Sequence, residues 1–365
     1  MENLQLKSLV TTEGNLELFL ESSAVPACAE DKVVIEIQAA PINPADVLMM
    51  FGAADMSTVE AVGTVDDPRI RVRMSEAMQK VTAARVGKAS PWGIEGAGVV
   101  IATGQSDAAK SLMGKTVAVI GGAMYARYRV MRAKDCLRLM DNTTPREGAS
   151  CFVNPQSVIG MVETMRMEGH SALVHTAAAS NLGQMLQKHC IAEGVDLVNV
   201  VRKEEHVGLL NGIGAKHVCN SSNPDFFANL TDALVGTKAT IAFDAIGGGD
   251  MAGQILSAMN ATPHGSSNHK QLYYYGSLDS SPAILNHSSF GTLWGIGRYQ
   301  LGSFMQKIDA DATEKLRQKI AAEITSTFAS SYAKEVSLQE ALTVEAISIY
   351  HKCATGEKYL INPSR

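Results

Sequence analysis

Cysteine is scarce and scattered in this chain. The six residues, Cys28, Cys136, Cys151, Cys190, Cys219 and Cys353, contain no C-x-x-C or C-x-x-H spacing. That excludes a dense zinc site or a disulfide framework written into the sequence, and it favours the reduced thiols of a cytosol. Long apolar runs are also missing, since none approaches the roughly 18 residues needed to span a bilayer. The opening stretch, MENLQLKSLVTTEGNLELFLESS, carries acids where a secretory leader needs a basic start and an unbroken apolar segment, so a soluble, cytoplasmic protein is expected. An excess of positive charge is lacking as well. The formal net charge of −5 offers polyanions no long-range attraction, which argues against nucleic acid or an anionic membrane surface as partner. The expected partner is a small-molecule substrate. What is present, 46% hydrophobic and 19% charged residues over 365 positions, suffices for a sizeable core and suggests two domains.

The first half holds short β-branched runs between turn residues: Val33 to Gln38, Ala97 to Ala102, Thr116 to Ile120 and Tyr125 to Val130. Such spacing predicts a mostly antiparallel β domain. Between them, Met56 to Lys88 has mixed charge and weak periodicity and is expected to be a long excursion, either a lid or pocket wall or a plain surface insertion. From Asn154 strand and helix alternate, the pattern of a parallel sheet covered on both faces. Strands are expected at 172–175, 196–201, 216–219, 240–245 and 271–275, and helices at 181–193, 206–213, 224–235 and 251–259. Two long helices, 310–328 and 337–353, and a last strand at 358–361 follow.

The turn after the first strand of this half reads His175-Thr176-Ala177-Ala178-Ala179-Ser180-Asn181-Leu182-Gly183. The dinucleotide fingerprint G-x-G-x-x-G would fall on Ala178, Ser180 and Gly183, where small residues let backbone approach a pyrophosphate at a helix N-terminus. Only the last glycine is present, and an ordinary small-residue turn fits the pattern equally. At the end of the next strand, where an NAD-selective site places a carboxylate, stand Arg202 and Lys203. Two cations there favour the 2′-phosphate of NADPH, with solvated strand-end charges as the alternative. His206, a few residues on, could add a contact or be ordinary surface. His264, His269 and His287 lack the spacing of a metal site and read as loop histidines.

The stretches APINPAD (40–46), GIEGAGVV (93–100), VNPQS (153–157), the 177–183 turn, VNVVR (198–202) and GIGAKHV (212–218) stand in the order found in medium-chain dehydrogenases/reductases. The chain most resembles their zinc-free quinone oxidoreductases and enoyl thioester reductases, over nearly its whole length. The resemblance implies an α/β fold, a Rossmann-type doubly wound parallel sheet plus a GroES-like mostly antiparallel β domain. Residues 1–151 and 304–365 would form the GroES-like substrate domain and 152–303 the dinucleotide-binding domain. It further implies NADPH as cofactor, held by Ala179, Ser180, Asn181, Leu182, Arg202 and Lys203. Asn43 and Ser157 would lie at the nicotinamide end, and Ala245, Ile246, Gly247, Tyr275, Gly276 and Ser277 at the ends of later strands.

Departures from the family also carry information. Ile94 stands where zinc-dependent members have a ligand His, and the early ligand Cys is missing from the 43–46 segment, so no metal is expected. Glu95 then reads as an internal structural carboxylate rather than a catalytic one, and Tyr125 and Tyr128 as packing residues. The Tyr that many enoyl reductases carry on a G-x-Y segment is absent from Gly52-Ala53-Ala54, which leaves the catalytic proton donor unassigned. The function implied is NADPH-dependent hydride delivery to a quinone or an α,β-unsaturated carbonyl compound. A non-catalytic, crystallin-like NADPH-binding protein and a zinc-free alcohol dehydrogenase are the alternatives. A homodimer is expected through the α/β half, with Gln271 to Tyr275 as pairing edge unless Leu293 to Met305 covers it within one chain.

Overall fold

The computed structural model describes residues 1–365 apart from Ala53 and Asp66. Two compact units emerge, one of residues 1–153 with 317–365 and one of residues 154–316.

The first unit begins with a hairpin of β1 (Glu2–Val10) and β2 (Asn15–Ala24), in register from Glu2 against Ala24 to Val10 against Leu16. Leu6, Val10, Leu16 and Leu18 recur at even positions and are buried, so one face of the pair packs into the core. There follow β3 (Lys32–Pro41), α1 (Pro44–Phe51), β4 (Ala54–Ala61), β5 (Arg69–Met74), α2 (Glu76–Thr82), β6 (Ser90–Pro91) and β7 (Glu95–Thr103). Next come α3 (Asp107–Lys110), β8 (Thr116–Ile120), β9 (Tyr128–Arg132), β10 (Leu137–Arg138) and α4 (Pro145–Gly148). One sheet runs β4-β5-β2-β1-β6. The region expected as an excursion at 56–88 therefore supplies two of its strands, and that expectation is corrected. Ile70, Val72 and Met74 of β5 alternate with Arg69, Arg71 and Arg73; opposite β2 this two-residue period buries one face. Ala53, within the segment lacking the family Tyr, lies outside the described residues, as does Asp66 of the expected excursion.

The second unit contains α5 (Val153–Met167) from Asn154 onward, then β11 (Ala172–Thr176), α6 (Asn181–Glu193), β12 (Asp196–Val201), α7 (Glu204–Gly212), β13 (His217–Asn220) and α8 (Phe226–Thr237). It continues with β14 (Ile241–Asp244), α9 (Met251–Ala261), β15 (Lys270–Tyr274), β16 (Trp294–Arg298) and α10 (Leu301–Met305). Its sheet is wholly parallel in the order β13-β12-β11-β14-β15-β16. This is the doubly wound order in which ligands sit outside the carboxyl ends of the strands, where the winding reverses between β11 and β14. Both central strands are buried along their full length. Phe226, Leu230, Leu234, Ile255, Leu256 and Met259 of α8 and α9 pack on one face of the sheet against Val174, Val198 and Leu272.

Gln271 to Tyr275 is not a free edge, which corrects the pairing surface expected from sequence. β15 is flanked by β14 and β16, and β16 is the terminal strand. The Gln271 side chain and the Tyr273 ring lie over Gly295 and Gly297, where a Cβ would stand 2.5 and 2.9 Å from them.

The chain returns to the first unit partway along α11 (Ala310–Glu323) and adds β17 (Lys334–Val336), α12 (Leu338–Ala341), α13 (Val344–Tyr350) and β18 (Tyr359–Ile361). β18 joins a second sheet, β10-β8-β7-β3-β18-β17, in which β9 also pairs with β3. The single helix expected over 337–353 is two. Ser337 caps the first by accepting from the Glu340 N–H, and Thr343 caps the second by accepting from the Ala346 N–H. The second cap draws the backbone out of the helix at Leu342–Thr343. Leu6, Leu18, Ile35, Ile37, Tyr125, Ile347 and Tyr350 belong to the core of this unit. Among the described residues no helix is long and apolar enough to cross a membrane, and no group of three His, Cys, Asp or Glu side chains could hold a metal ion.

Candidate active site

In the second unit the turn between β11 and α6 is built for close approach. Ala177 has φ +50°, a left-handed conformation that costs a non-glycine residue about 1 kcal/mol or more. Ser180 caps α6 by accepting from the Gly183 N–H at 3.2 Å, and Gln184 ties the turn down by donating to the Ala179 carbonyl at 2.8 Å. Gly183 is demanded by packing, since a Cβ there would lie 2.2 Å from the Ala178 carbonyl oxygen. Asn181 and Leu182, half buried, open the helix. The first amides of such a helix lack internal partners and carry the positive end of its dipole, which suits a pyrophosphate.

The Ala178 N–H donates to Val200 of β12 at 3.2 Å, which fixes the turn beside the end of that strand. Arg202 and Lys203 follow β12 and are exposed. Lys203 pairs with Glu205 at 3.1 Å, and the Ser222 hydroxyl donates to the Arg202 carbonyl at 2.8 Å. His206 lies 3.6 Å from the same Glu205 carboxylate. A small-residue cradle next to two strand-end cations fits an adenine dinucleotide with a 2′-phosphate.

The ends of β14 and β15 form one polar assembly. Asp244, fully buried, accepts from the Thr176 hydroxyl at 2.6 Å and from the N–H groups of Ile246 and Gly247 at 3.0 and 3.2 Å. The Thr176 hydroxyl in turn accepts from the Ala245 N–H at 2.8 Å. The two tripeptides singled out in the sequence, 245–247 and 275–277, are thereby brought into contact. Leu278 and Asp279 donate back to Ala245 and Ile246, and a Cβ on Gly276 would sit 2.5 Å from the Ala245 oxygen. Behind them His175, fully buried, meets the Tyr275 hydroxyl at 2.7 Å with the rings stacked 5.5 Å apart. Thr176, Asp244 and His175 did not stand out in the sequence. Their signal there is a polar residue at the carboxyl end of a buried strand.

Ser157 lies half buried in α5. Asn43 belongs to the first unit, where it precedes Pro44 at the start of α1; its N–H donates to Asp46 at 3.1 Å, as an acidic third helical residue allows. The other Asp46 oxygen accepts from the Ile94 N–H at 2.9 Å. Asn43 Nδ2 donates to Glu95 at 2.9 Å, and the second Glu95 oxygen accepts from the N–H groups of Phe152 and Val153, each at 2.9 Å. Glu95 is therefore the internal carboxylate expected of it. Burial pushes its carboxyl pKa up, against the pull of the Lys358 charge and these donors. Asp46 is raised to about 7, by burial first and then by Glu95. Lys358 donates to Ser150 at 3.2 Å, and burial lowers its pKa. Tyr125 is buried and donates to the Pro41 carbonyl at 3.1 Å, a packing role.

A parallel sheet wound in this order, together with a mainly antiparallel β unit assembled from both ends of the chain, is the architecture of the medium-chain dehydrogenases/reductases. The chain has that fold, in the form shared by quinone oxidoreductases and enoyl reductases. Among solved structures it is similar to a Mesorhizobium loti protein provisionally assigned as an NADPH:quinone reductase, at 26% identity and a TM-score of 0.74, covering 99% of this chain and 98% of that one. It is also similar to Escherichia coli quinone oxidoreductase complexed with NADPH, at 17% identity and a TM-score of 0.71 over 100% of both chains. A mutant form of enoyl thioester reductase from Candida tropicalis matches at 16% identity and a TM-score of 0.70, over 99% of this chain and 100% of that one. No family model matches the sequence. A curated relative, a highly reducing polyketide synthase of Fusarium sp, is 24% identical over 228 residues, 60% of this chain; the match spans 8% of the synthase's length.

Proposed function

We propose that this chain is an NADPH-dependent oxidoreductase that delivers hydride to a quinone or, as the second choice, to an α,β-unsaturated carbonyl compound. One observation carries the reading: the cradle of Ala179 to Gly183 adjoins the end of β12, where Arg202 and Lys203 replace the carboxylate of an NAD-selective site. Ser180, Asn181 and Leu182 would hold the pyrophosphate, Arg202 and Lys203 the 2′-phosphate, and the 245–247 and 275–277 segments, with Ser157, the nicotinamide end. NADPH supplies the hydride when bound; the chain's own residues bind, orient and exclude water. The structural relatives named for quinone reduction support the first substrate class. The absence of the enoyl-reductase Tyr from residues 52–54 weighs against thioesters. The six free cysteines suit a reducing compartment, and the unpaired side of β16 suits a homodimer. The test is NADPH oxidation by the purified protein against a panel of quinones and enones, followed at the cofactor's absorbance band. Quinone-dependent oxidation is expected, and turnover with neither class refutes the reading.

A further inference from the structure

Asp244 is a fully buried carboxylate for which the described residues supply no counter-charge. It ends β14. One of its oxygens accepts from the Thr176 hydroxyl at 2.6 Å and the Ile246 N–H at 3.0 Å, and the other accepts from the Gly247 N–H at 3.2 Å. The direction of the first bond is fixed, because the buried Thr176 oxygen accepts from the Ala245 N–H at 2.8 Å and its own proton is left for Asp244. Backbone N–H groups on both oxygens are the donors an ionised carboxylate takes. Among the described residues no Lys, Arg or His forms an ion pair with it. His175, the residue before Thr176 on β11, brings no charge, since burial lowers its pKa to about 3. Hydrogen bonds solvate a buried charge without cancelling its field. That field reaches the neighbouring strand: after burial itself, the Asp244 charge is what raises the hydroxyl pKa of Tyr274 and Tyr275.

The sheet order decides what such a charge would face. β12, followed by Arg202 and Lys203, lies on one side of β11, and β14 lies on the other. A dinucleotide whose phosphates sit at the turn between β11 and α6, and whose adenosine half extends toward Arg202 and Lys203, carries its nicotinamide half over the end of β14. Asp244 is turned that way, because the N–H groups that reach its carboxylate belong to residues 246 and 247, past the end of the strand. A nicotinamide ring is neutral when reduced and carries one positive charge when oxidised. Hydride departure passes one proton with two electrons to the acceptor, whose reduction a proton from water completes. It therefore creates a cation near an uncompensated anion.

We infer that Asp244 is the counter-charge of the oxidised nicotinamide, selecting NADP⁺ over NADPH at the ring end of the site and so favouring hydride departure. The inference rests on the NADPH-dependent reading above. No bond to Asp244 forms or breaks, and its oxygens stay with Thr176, Ile246 and Gly247. The carboxylate acts through its field alone.

NADP⁺ and NADPH are alike except at the ring, so the ratio of their dissociation constants reads the ring's surroundings and cancels the contribution of the phosphates. Isothermal titration calorimetry of the full chain gives both constants. In the unsubstituted protein NADP⁺ is expected to bind more tightly than NADPH, and the opposite order overturns the inference even if no variant folds. Asp244→Asn keeps an oxygen for Thr176 and Ile246 and removes the charge. The ratio should then shift toward NADPH by roughly tenfold, the order of one unit-charge interaction inside a protein. Thr176→Val controls for local structure, since it loses the hydroxyl and keeps the carboxylate; its two affinities should move together and leave the ratio unchanged. A ratio unchanged in Asp244→Asn, or moved as far in Thr176→Val, overturns the inference while leaving the cofactor reading standing. An unsubstituted protein that binds neither nucleotide overturns the cofactor reading, and the inference with it.

Discussion

Glu95 holds together three segments of the first unit, and its replacement should show how much that is worth. Its carboxylate accepts from Asn43 Nδ2 on one oxygen and from the Phe152 and Val153 N–H groups on the other, all at 2.9 Å, in a site with no solvent exposure. Glu95→Ala removes the acceptor from three donors at once. At ~1–3 kcal/mol for each buried group deprived of its partner, the cost is ~3–9 kcal/mol, comparable with the whole stability of a domain. Release of the carboxylate's own burial penalty offsets part of this. Glu95→Gln should behave differently. Its oxygen can keep both backbone donors while its NH₂ turns to Asn43, whose Oδ1 has no partner and can swing round to accept. The expected loss is then ~1–2 kcal/mol, the difference between charge-assisted and neutral bonds. The assay is urea unfolding followed by tryptophan fluorescence in a Trp294→Phe background, so that Trp92, buried in the core of the same unit, reports alone. A Glu95→Ala protein within about 1 kcal/mol of the parent, or a Glu95→Gln protein equally damaged, would refute the accounting.

Arg202→Ala combined with Lys203→Ala should remove most of the preference for NADPH over NADH, at roughly one to two decades of affinity per charge-assisted phosphate contact; equal affinities in the parent contradict the assignment. Asp46 titrates at about 7 in the folded chain against 3.8 unfolded, so the native state holds its proton more tightly. Its stabilising contribution is present below pH 3.8, is lost as pH rises from there to about 7, and is flat beyond. Asp46→Asn should flatten this slope of up to about 1.4 kcal/mol per pH unit in thermal melts, and an unchanged slope argues against it. If β16 is the pairing edge, Trp294→Asp should raise the dimer dissociation constant in sedimentation equilibrium, and a parent that sediments as a monomer at micromolar concentration excludes the dimer.

The sequence alone determined the elements whose limits are written in neighbouring residues. α6 runs from Asn181 to Glu193 because Ser180 caps it and Gly194 takes the left-handed conformation that ends it, and both signals lie within one turn of the helix. β8 and β12 are likewise legible as short apolar runs between turn residues. The alternation from Asn154 onward pointed to a parallel sheet for the same local reason. Tertiary structure decided what depends on partners distant in the chain. β5 pairs with β2, and that pairing buries the apolar face whose residues alternate with three arginines. β16, not β15, ends the sheet, since the edge is set by which strand finds a partner across the fold. The polar site shows the same division. The 177–183 cradle and Arg202-Lys203 could be found by spacing along one strand–helix–strand unit. The bond from Asn43 to Glu95 spans 52 positions and that from His175 to Tyr275 spans 100. No local propensity encodes such a contact; it exists because the folded sheets exclude water and require each buried polar group to find its partner inside.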